Sequence, residues 1–161
     1  MTETLKAYIE KTDFSEIRQR PRVLSVLFCD YANRTDDNKV NLIGIFDRIY
    51  AHPEKRMSPP FIVYARTAET FEDNLWVRVF DPDDQPVAEI RFDPPEVPNE
   101  PDREPDWPNQ LQFFLPIRMA LPKEGVYHFD LAYRDFSIGG AGLVVKFRVL
   151  REGESGTDTY E

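Results

Sequence analysis

The chain holds one cysteine, Cys29, and two histidines, His52 and His128. A lone cysteine closes no internal disulfide, so the fold depends on its own packing, and a reducing compartment is the simplest reading. One thiol and two separated imidazoles are too few for a zinc site of ordinary composition. No apolar run approaches the ~20 residues that cross a bilayer. The opening Met1-Thr2-Glu3-Thr4-Leu5-Lys6 lacks the basic and then apolar order of a secretory signal. Membrane contact is therefore not expected, and the cytoplasm is the expected location. Glycine-rich phosphate loops, nucleophile elbows and HExxH helices are missing as well, and no cofactor is expected. Basic residues form no stripe with aromatic ones, which argues against nucleic acid.

What is there fits a single domain. A chain of 161 residues can bury roughly 68–70% of its unfolded surface without staples. Hydrophobic residues make up 41% and charged residues 30%, an ordinary globular mixture. The net charge of −9 is concentrated in two places. Residues 93–110 hold six acids against Arg103, and residues 151–161 hold four against Arg151. The remainder is close to neutral. Such charge favours solubility and repels polyanions.

Residues 1–20 read as a helical arm. Leu5, Tyr8, Ile9 and Thr12 share a face at helical spacing, and Asp13 with Glu16 resembles a capping box. Pro21 ends any helix before Arg22. The arm either packs across the domain or docks on a partner, and Leu5, Tyr8 and Ile9 are its candidate contacts.

From Val23 the period changes to two. Val23–Cys29 is apolar on both alternating faces, which suits a central strand covered on both sides. Further strands are expected over Val40–Tyr50, Phe61–Ala65, Leu75–Phe80 and Val87–Phe92, the last two joined as a hairpin by Asp81-Pro82-Asp83-Asp84-Gln85-Pro86. Leu111 to Met119 follows, with Pro116 on the face opposite Leu115 and Ile117, a sign of an edge or bulge. Tyr127–Tyr133 and Leu143–Val149 complete the set, connected through Ser137-Ile138-Gly139-Gly140-Ala141-Gly142. About eight short strands punctuated by Pro, Asp and Gly predict an all-β, antiparallel β-sandwich of immunoglobulin-like architecture, preceded by the short N-terminal helix. The sandwich spans 21–150, carries the acidic insertion 93–110, and ends in a flexible acidic tail, 151–161. In Leu121–Leu131, Gly125, Tyr127 and Phe129 at two-residue intervals resemble a tyrosine corner, with Phe129 where antibody domains place a cysteine.

Few residues offer chemistry. Cys29 ends an apolar strand beside Asp30, and a carboxylate opposes thiolate formation, so Cys29 reads as a buried core position. His128 and Asp130 share one strand face, which reads as solvated rather than as a pair. Asp81, Asp83 and Asp84 could offer oxygens to calcium, but Asp also builds such turns by bonding backbone amides. Asp93 lies at the opposite end of the paired strands, so no metal is expected.

The segment 93–110, Asp-Pro-Pro-Glu-Val-Pro-Asn-Glu-Pro-Asp-Arg-Glu-Pro-Asp-Trp-Pro-Asn-Gln, is the most unusual feature. Six prolines exclude a helix or a central strand. Mutual repulsion and proline bias it to an extended form. It is either a solvated crossover, with Trp107 folded onto the end of the sandwich, or a partner-binding loop. In the second reading Pro105, Asp106, Trp107 and Pro108 make the contact.

Residues 24–32 (LSVLFCDYA), 39–49 (KVNLIGIFDRI) and 58–66 (SPPFIVYAR) together resemble a family of small bacterial proteins of unknown function. Residues 81–87 (DPDDQPV) and 124–131 (EGVYHFDL) fit the same pattern, so the similarity covers roughly 22–150. The resemblance implies a single, intracellular, bacterial β-sandwich and supplies no reaction and no catalytic residues. The expected function is a non-enzymatic module that binds another protein, with homo-oligomerisation left open. The alternative is a small-ligand protein or a hydrolase using Asp30, Asp47 and Asp130.

Overall fold

The computed structural model describes residues 21–37, 39–68, 73–93, 110–134 and 136–159. The expected helical arm, with Leu5, Tyr8 and Ile9, lies outside these residues. So do Pro105, Asp106, Trp107 and Pro108. Ten strands form: β1 (Arg22–Arg34), β2 (Val40–Phe46), β3 (Arg48–Ala51), β4 (Phe61–Ala68), β5 (Leu75–Phe80), β6 (Pro86–Phe92), β7 (Gln110–Ile117), β8 (Gly125–Tyr133), β9 (Phe136–Phe147) and β10 (Thr157–Asp158). They build a four-stranded sheet, β2-β1-β4-β7, and a six-stranded sheet, β10-β3-β9-β8-β5-β6. The fold is the expected all-β sandwich. All pairings are antiparallel except β3 with β9, which run parallel.

Alternation fills the space between the sheets. Phe61, Val63 and Ala65 of β4 face Leu75, Val77 and Val79 of β5 and Phe129 and Leu131 of β8, all fully or nearly fully buried. Four rings lock the sheets together: Phe129 of β8 sits edge-on to Phe28 at 5.0 Å and to Phe61 at 6.1 Å, and Phe46 stacks beside Phe28 at 6.4 Å. Such aromatic pairs add to the burial of ~150–250 Å² per ring. The tyrosine corner is present. The Tyr127 hydroxyl donates to the Lys123 carbonyl at 3.0 Å, tying the start of β8 to the loop before it.

Three expectations are corrected. The strand Val40–Tyr50 is two strands in different sheets. Phe46 and Ile49 are both buried, yet three positions apart, a spacing one straight strand cannot point inward. The chain swings at Asp47, whose amide donates to the Asp158 carbonyl and whose carbonyl accepts from Val144. Second, Gly139, Gly140 and Gly142 lie inside β9, not in a connecting turn. A Cβ on Gly140 would sit 2.2 Å from the Phe129 carbonyl, so the cluster marks close backbone approach. The actual turn lies nearer Arg134, which adopts a φ of 55°. Third, the segment expected as a tail supplies β10, paired with β3 through Thr157 and Ile49.

Candidate functional site

Cys29 is the first residue to place. Its side chain lies on the outer side of the four-stranded sheet, yet it is 0% exposed. Register explains this: Cys29 is level with Ile45 on β2 and Ile62 on β4, and Ile62 is level with Pro116 on β7. The next level holds Leu27, Tyr64 and Phe114. The thiol is therefore walled by apolar neighbours. Burial pushes its pKa up, and the adjacent Asp30 carboxylate pushes the same way. No imidazole shares its register: His128 is level with Phe80 and Gly142 in the other sheet, and His52 Nδ1 accepts the Glu54 amide.

The three carboxylates considered for hydrolysis fall in two places: the Asp30 side chain and the Asp47 amide both bond to β10, at Thr157 and Asp158, while Asp130 bonds Ser137 of β9. Asp30 Oδ1, within β1, accepts the Thr157 hydroxyl of β10 at 2.9 Å. Asp47 occupies the junction between β2 and β3. Asp130 accepts the Ser137 hydroxyl beside the glycines of β9, on the six-stranded sheet. Two open clefts border these groups. One of about 370 Å³ is lined by Pro60, Phe61, Ile62, Pro116 and Ile117, with Asp30 and Arg118 as its charged members. A smaller one of about 280 Å³ lies over His128, Asp130, Ser137, Gly140 and Gly142.

Asp81 serves its own turn. It is buried, and Oδ1 accepts the amides of Asp83 at 2.8 Å and Gln85 at 2.9 Å. Asp83 forms an ion pair with Lys123. Among the described residues no group of three or more His, Cys, Asp or Glu side chains stands ready for a metal ion, and no helix is long and apolar enough to cross a membrane.

The feature that sequence reading missed is an edge. A sheet edge exposes unpaired N–H and C=O groups, and proteins blunt it with charge, proline, brevity or bulges. Three of the four edges here are blunted. β6 carries Pro86, Glu89 and Arg91. β7 carries Pro116, and Arg34 caps its Gln112 carbonyl at 3.3 Å. β10 has two residues. The fourth edge is β2, Val-Asn-Leu-Ile-Gly-Ile-Phe, seven residues without charge or proline. Among the described residues no backbone group pairs with its outer side. Ile43 is 56% exposed and Ile45 47%, and Tyr31, level with Ile43 on β1, is 53% exposed. Three large apolar side chains thus flank the open edge on one face.

The shape of the β1–β2 ribbon presents this patch. β1 pairs with β4 only as far as Cys29; beyond it, β1 pairs with β2 alone. Phe114 is level with Leu27, so a straight strand would carry Arg34 roughly 23 Å past that level, at ~3.3 Å per residue. Instead the Arg34 guanidinium lies 6.0 Å from the Phe114 ring centre. The ribbon therefore curls back toward its own sheet. Gly44 sits at the curl with a φ of 68°, and the Asp30 carboxylate fills the space where a Cβ would be. A signal for the patch did exist in the sequence: Leu42, Ile43, Ile45 and Phe46 make β2 apolar on both faces, which one core cannot cover.

A family model described as a family of unknown function (DUF6941) matches residues 24–146, from β1 to β9, and the chain belongs to that family. No curated protein and no solved structure matches it.

Proposed function

We propose that this member of a family of unknown function is a non-enzymatic β-sandwich that acts by binding protein, through strand addition at β2. The observation that carries the reading is the open, uncharged edge of β2 with Ile43, Ile45 and Tyr31 exposed beside it. Strand addition draws affinity from backbone hydrogen bonds and specificity from alternate side chains. Here the alternate positions are Asn41, Ile43 and Ile45, so the incoming strand presents apolar side chains at matching positions. The acidic segment 93–110 is proposed as a second contact, laid on a basic groove with Trp107 in a pocket. The non-enzymatic reading draws support from the placing of Asp130 on the six-stranded sheet beside Ser137, apart from Asp30 at Thr157, and from the neutral, enclosed thiol of Cys29.

The alternative, a small-ligand protein or a carboxylate-based hydrolase, draws what support it has from the cleft between Asp30 and Arg118. The decisive experiment is reconstitution. A protein retained by the tagged chain is identified, purified and titrated against wild type, Ile43→Glu and Trp107→Ala. Ile43→Glu is expected to weaken binding about tenfold or more, roughly 1.4 kcal/mol, and Trp107→Ala to weaken it and reduce its salt dependence. Equal affinities for wild type and Ile43→Glu would overturn the β2 reading.

A further inference from the structure

Given an edge that accepts a strand, the next question is whose strand. We infer that β2 pairs with β2 of a second copy of this chain, antiparallel about a two-fold axis perpendicular to the sheet near Ile43. The inference rests on the proposed role of the β2 edge and goes further by naming the partner.

Three observations lead there. The first is charge. Two copies each carry a net charge of −9, so most approaches between them are repulsive. β2 has no charged residue, and the residues level with Asn41, Ile43 and Ile45 on β1 are Asn33, Tyr31 and Cys29. This is a surface on which two copies can meet without opposing like charges.

The second is self-complementarity. A two-fold interface needs a patch that matches itself. Ile43 is the central residue of Val40–Phe46. An axis at Ile43 sets it against its own copy and sets Asn41 against Ile45 on the same face. Ile43 and Ile45 of both copies then form one apolar patch, with Asn41 at each end and Tyr31 behind it. Two four-stranded sheets become one of eight strands, within the range that twisted sheets reach.

The third is the contrast among edges. Proline, charge or brevity guards β6, β7 and β10 against association. On β2 the one positive φ belongs to Gly44, which adds neither charge nor proline to the edge. Among the described residues β2 is left open while the other edges are guarded, and such an edge is best understood as one that is used.

Sedimentation of the full chain across the micromolar range tests this. The expected species has twice the chain mass of 18.9 kDa. Ile43→Lys and Ile43→Glu each place like charges opposite each other at the axis and are expected to sediment as monomers, with wild-type circular dichroism and melting. An equimolar mixture of the two is expected to restore the dimer, because unlike charges then face across the axis. Val126→Lys, on the six-stranded sheet, is expected to leave the dimer intact. In a Cys29→Ala background, Ile43→Cys is expected to oxidise to a disulfide-linked dimer. A wild-type chain that sediments as a monomer at every concentration overturns the inference, as does a dimer indifferent to both charges. A monomer that still binds a purified protein through Ile43 would overturn self-pairing while leaving strand addition standing; a monomer that binds none through Ile43 would remove both.

Discussion

Strand β6 closes the six-stranded sheet with Pro86, Glu89 and Arg91 among its seven residues; β2 closes the four-stranded sheet with none of these. The difference extends to the sheets behind them. Next to β6, Arg78 bonds Glu89 at 3.2 Å and lies 5.8 Å from the Trp76 ring centre, so polar groups dress the apolar surface. His128, Asp130 and Ser137 continue this dressing across β8 and β9. The outer side of the four-stranded sheet instead sets Ile45, Cys29, Ile62 and Pro116 in register, with Ile43 and Tyr31 paired on the next level. Both sheets share one core. What separates them is the side turned away from it, and that side is where association is decided.

The largest effect is expected where the sheets meet. Phe129→Ala removes the ring that touches Phe28 and Phe61 and should cost about 3–5 kcal/mol in chemical denaturation. A loss near 1 kcal/mol would mean that the sheets hold together without this ring. Gly44→Ala strains the curl that presents β2, since the residue has positive φ and Asp30 occupies the Cβ position. We expect about 2–3 kcal/mol of destabilisation and a weaker self-association than in wild type at a temperature where both are folded. Unchanged stability would show that the curl tolerates a side chain.

Tyr127→Phe tests the six-stranded sheet alone. Loss of the bond to Lys123 should cost about 1 kcal/mol at neutral pH. Burial holds the Tyr127 hydroxyl above its ordinary pKa. Its neutral form is therefore favoured by folding, and the stability linked to it is present below about pH 10 and lost as pH rises further. The phenylalanine variant should show a shallower alkaline decline in melting temperature than wild type; equal slopes would separate Tyr127 from that decline. Thr67→Val acts in the four-stranded sheet, where the Thr67 hydroxyl is buried without a hydrogen-bond partner among the described residues. An isosteric methyl should stabilise by about 1 kcal/mol, and a destabilised variant would point to a bond made by that hydroxyl. Glu89→Gln should be nearly silent, within about 0.5 kcal/mol, because its ion pair with Arg78 is exposed. Its informative readout is association: a new dimer in this variant would show that charge guards β6.

Much of the fold was legible in the chain. The hairpin of β5 and β6 was readable because Val77 and Val79 alternate with Arg78 and Phe80 before an aspartate-rich turn. Pro116 pointed to an edge or a bulge, since proline offers no donor to a neighbour, and β7 is an edge. The break at Asp47 was less visible. Its trace, Phe46 and Ile49 three apart, shows as an error of alternation only once both are known to be buried. The glycines of β9 misled for a similar reason. Glycine in isolation favours turns, and only the approach of the Phe129 carbonyl reveals that Gly140 belongs in a strand. The open edge was the least legible. Propensity identifies β2 as a strand, but being an edge is a property of its neighbours.

Two-residue alternation, the lone cysteine and the corner built on Tyr127 were determined by the sequence itself, because each depends on local backbone geometry or on simple counting. The assignment of strands to two sheets, the curl at Gly44 and the exposure of Ile43 and Ile45 were decided by tertiary structure. Alternation states that a side chain points to one of two sides. Which side is covered depends on surface supplied from elsewhere in the chain, and for β2 the described chain supplies none on its outer edge.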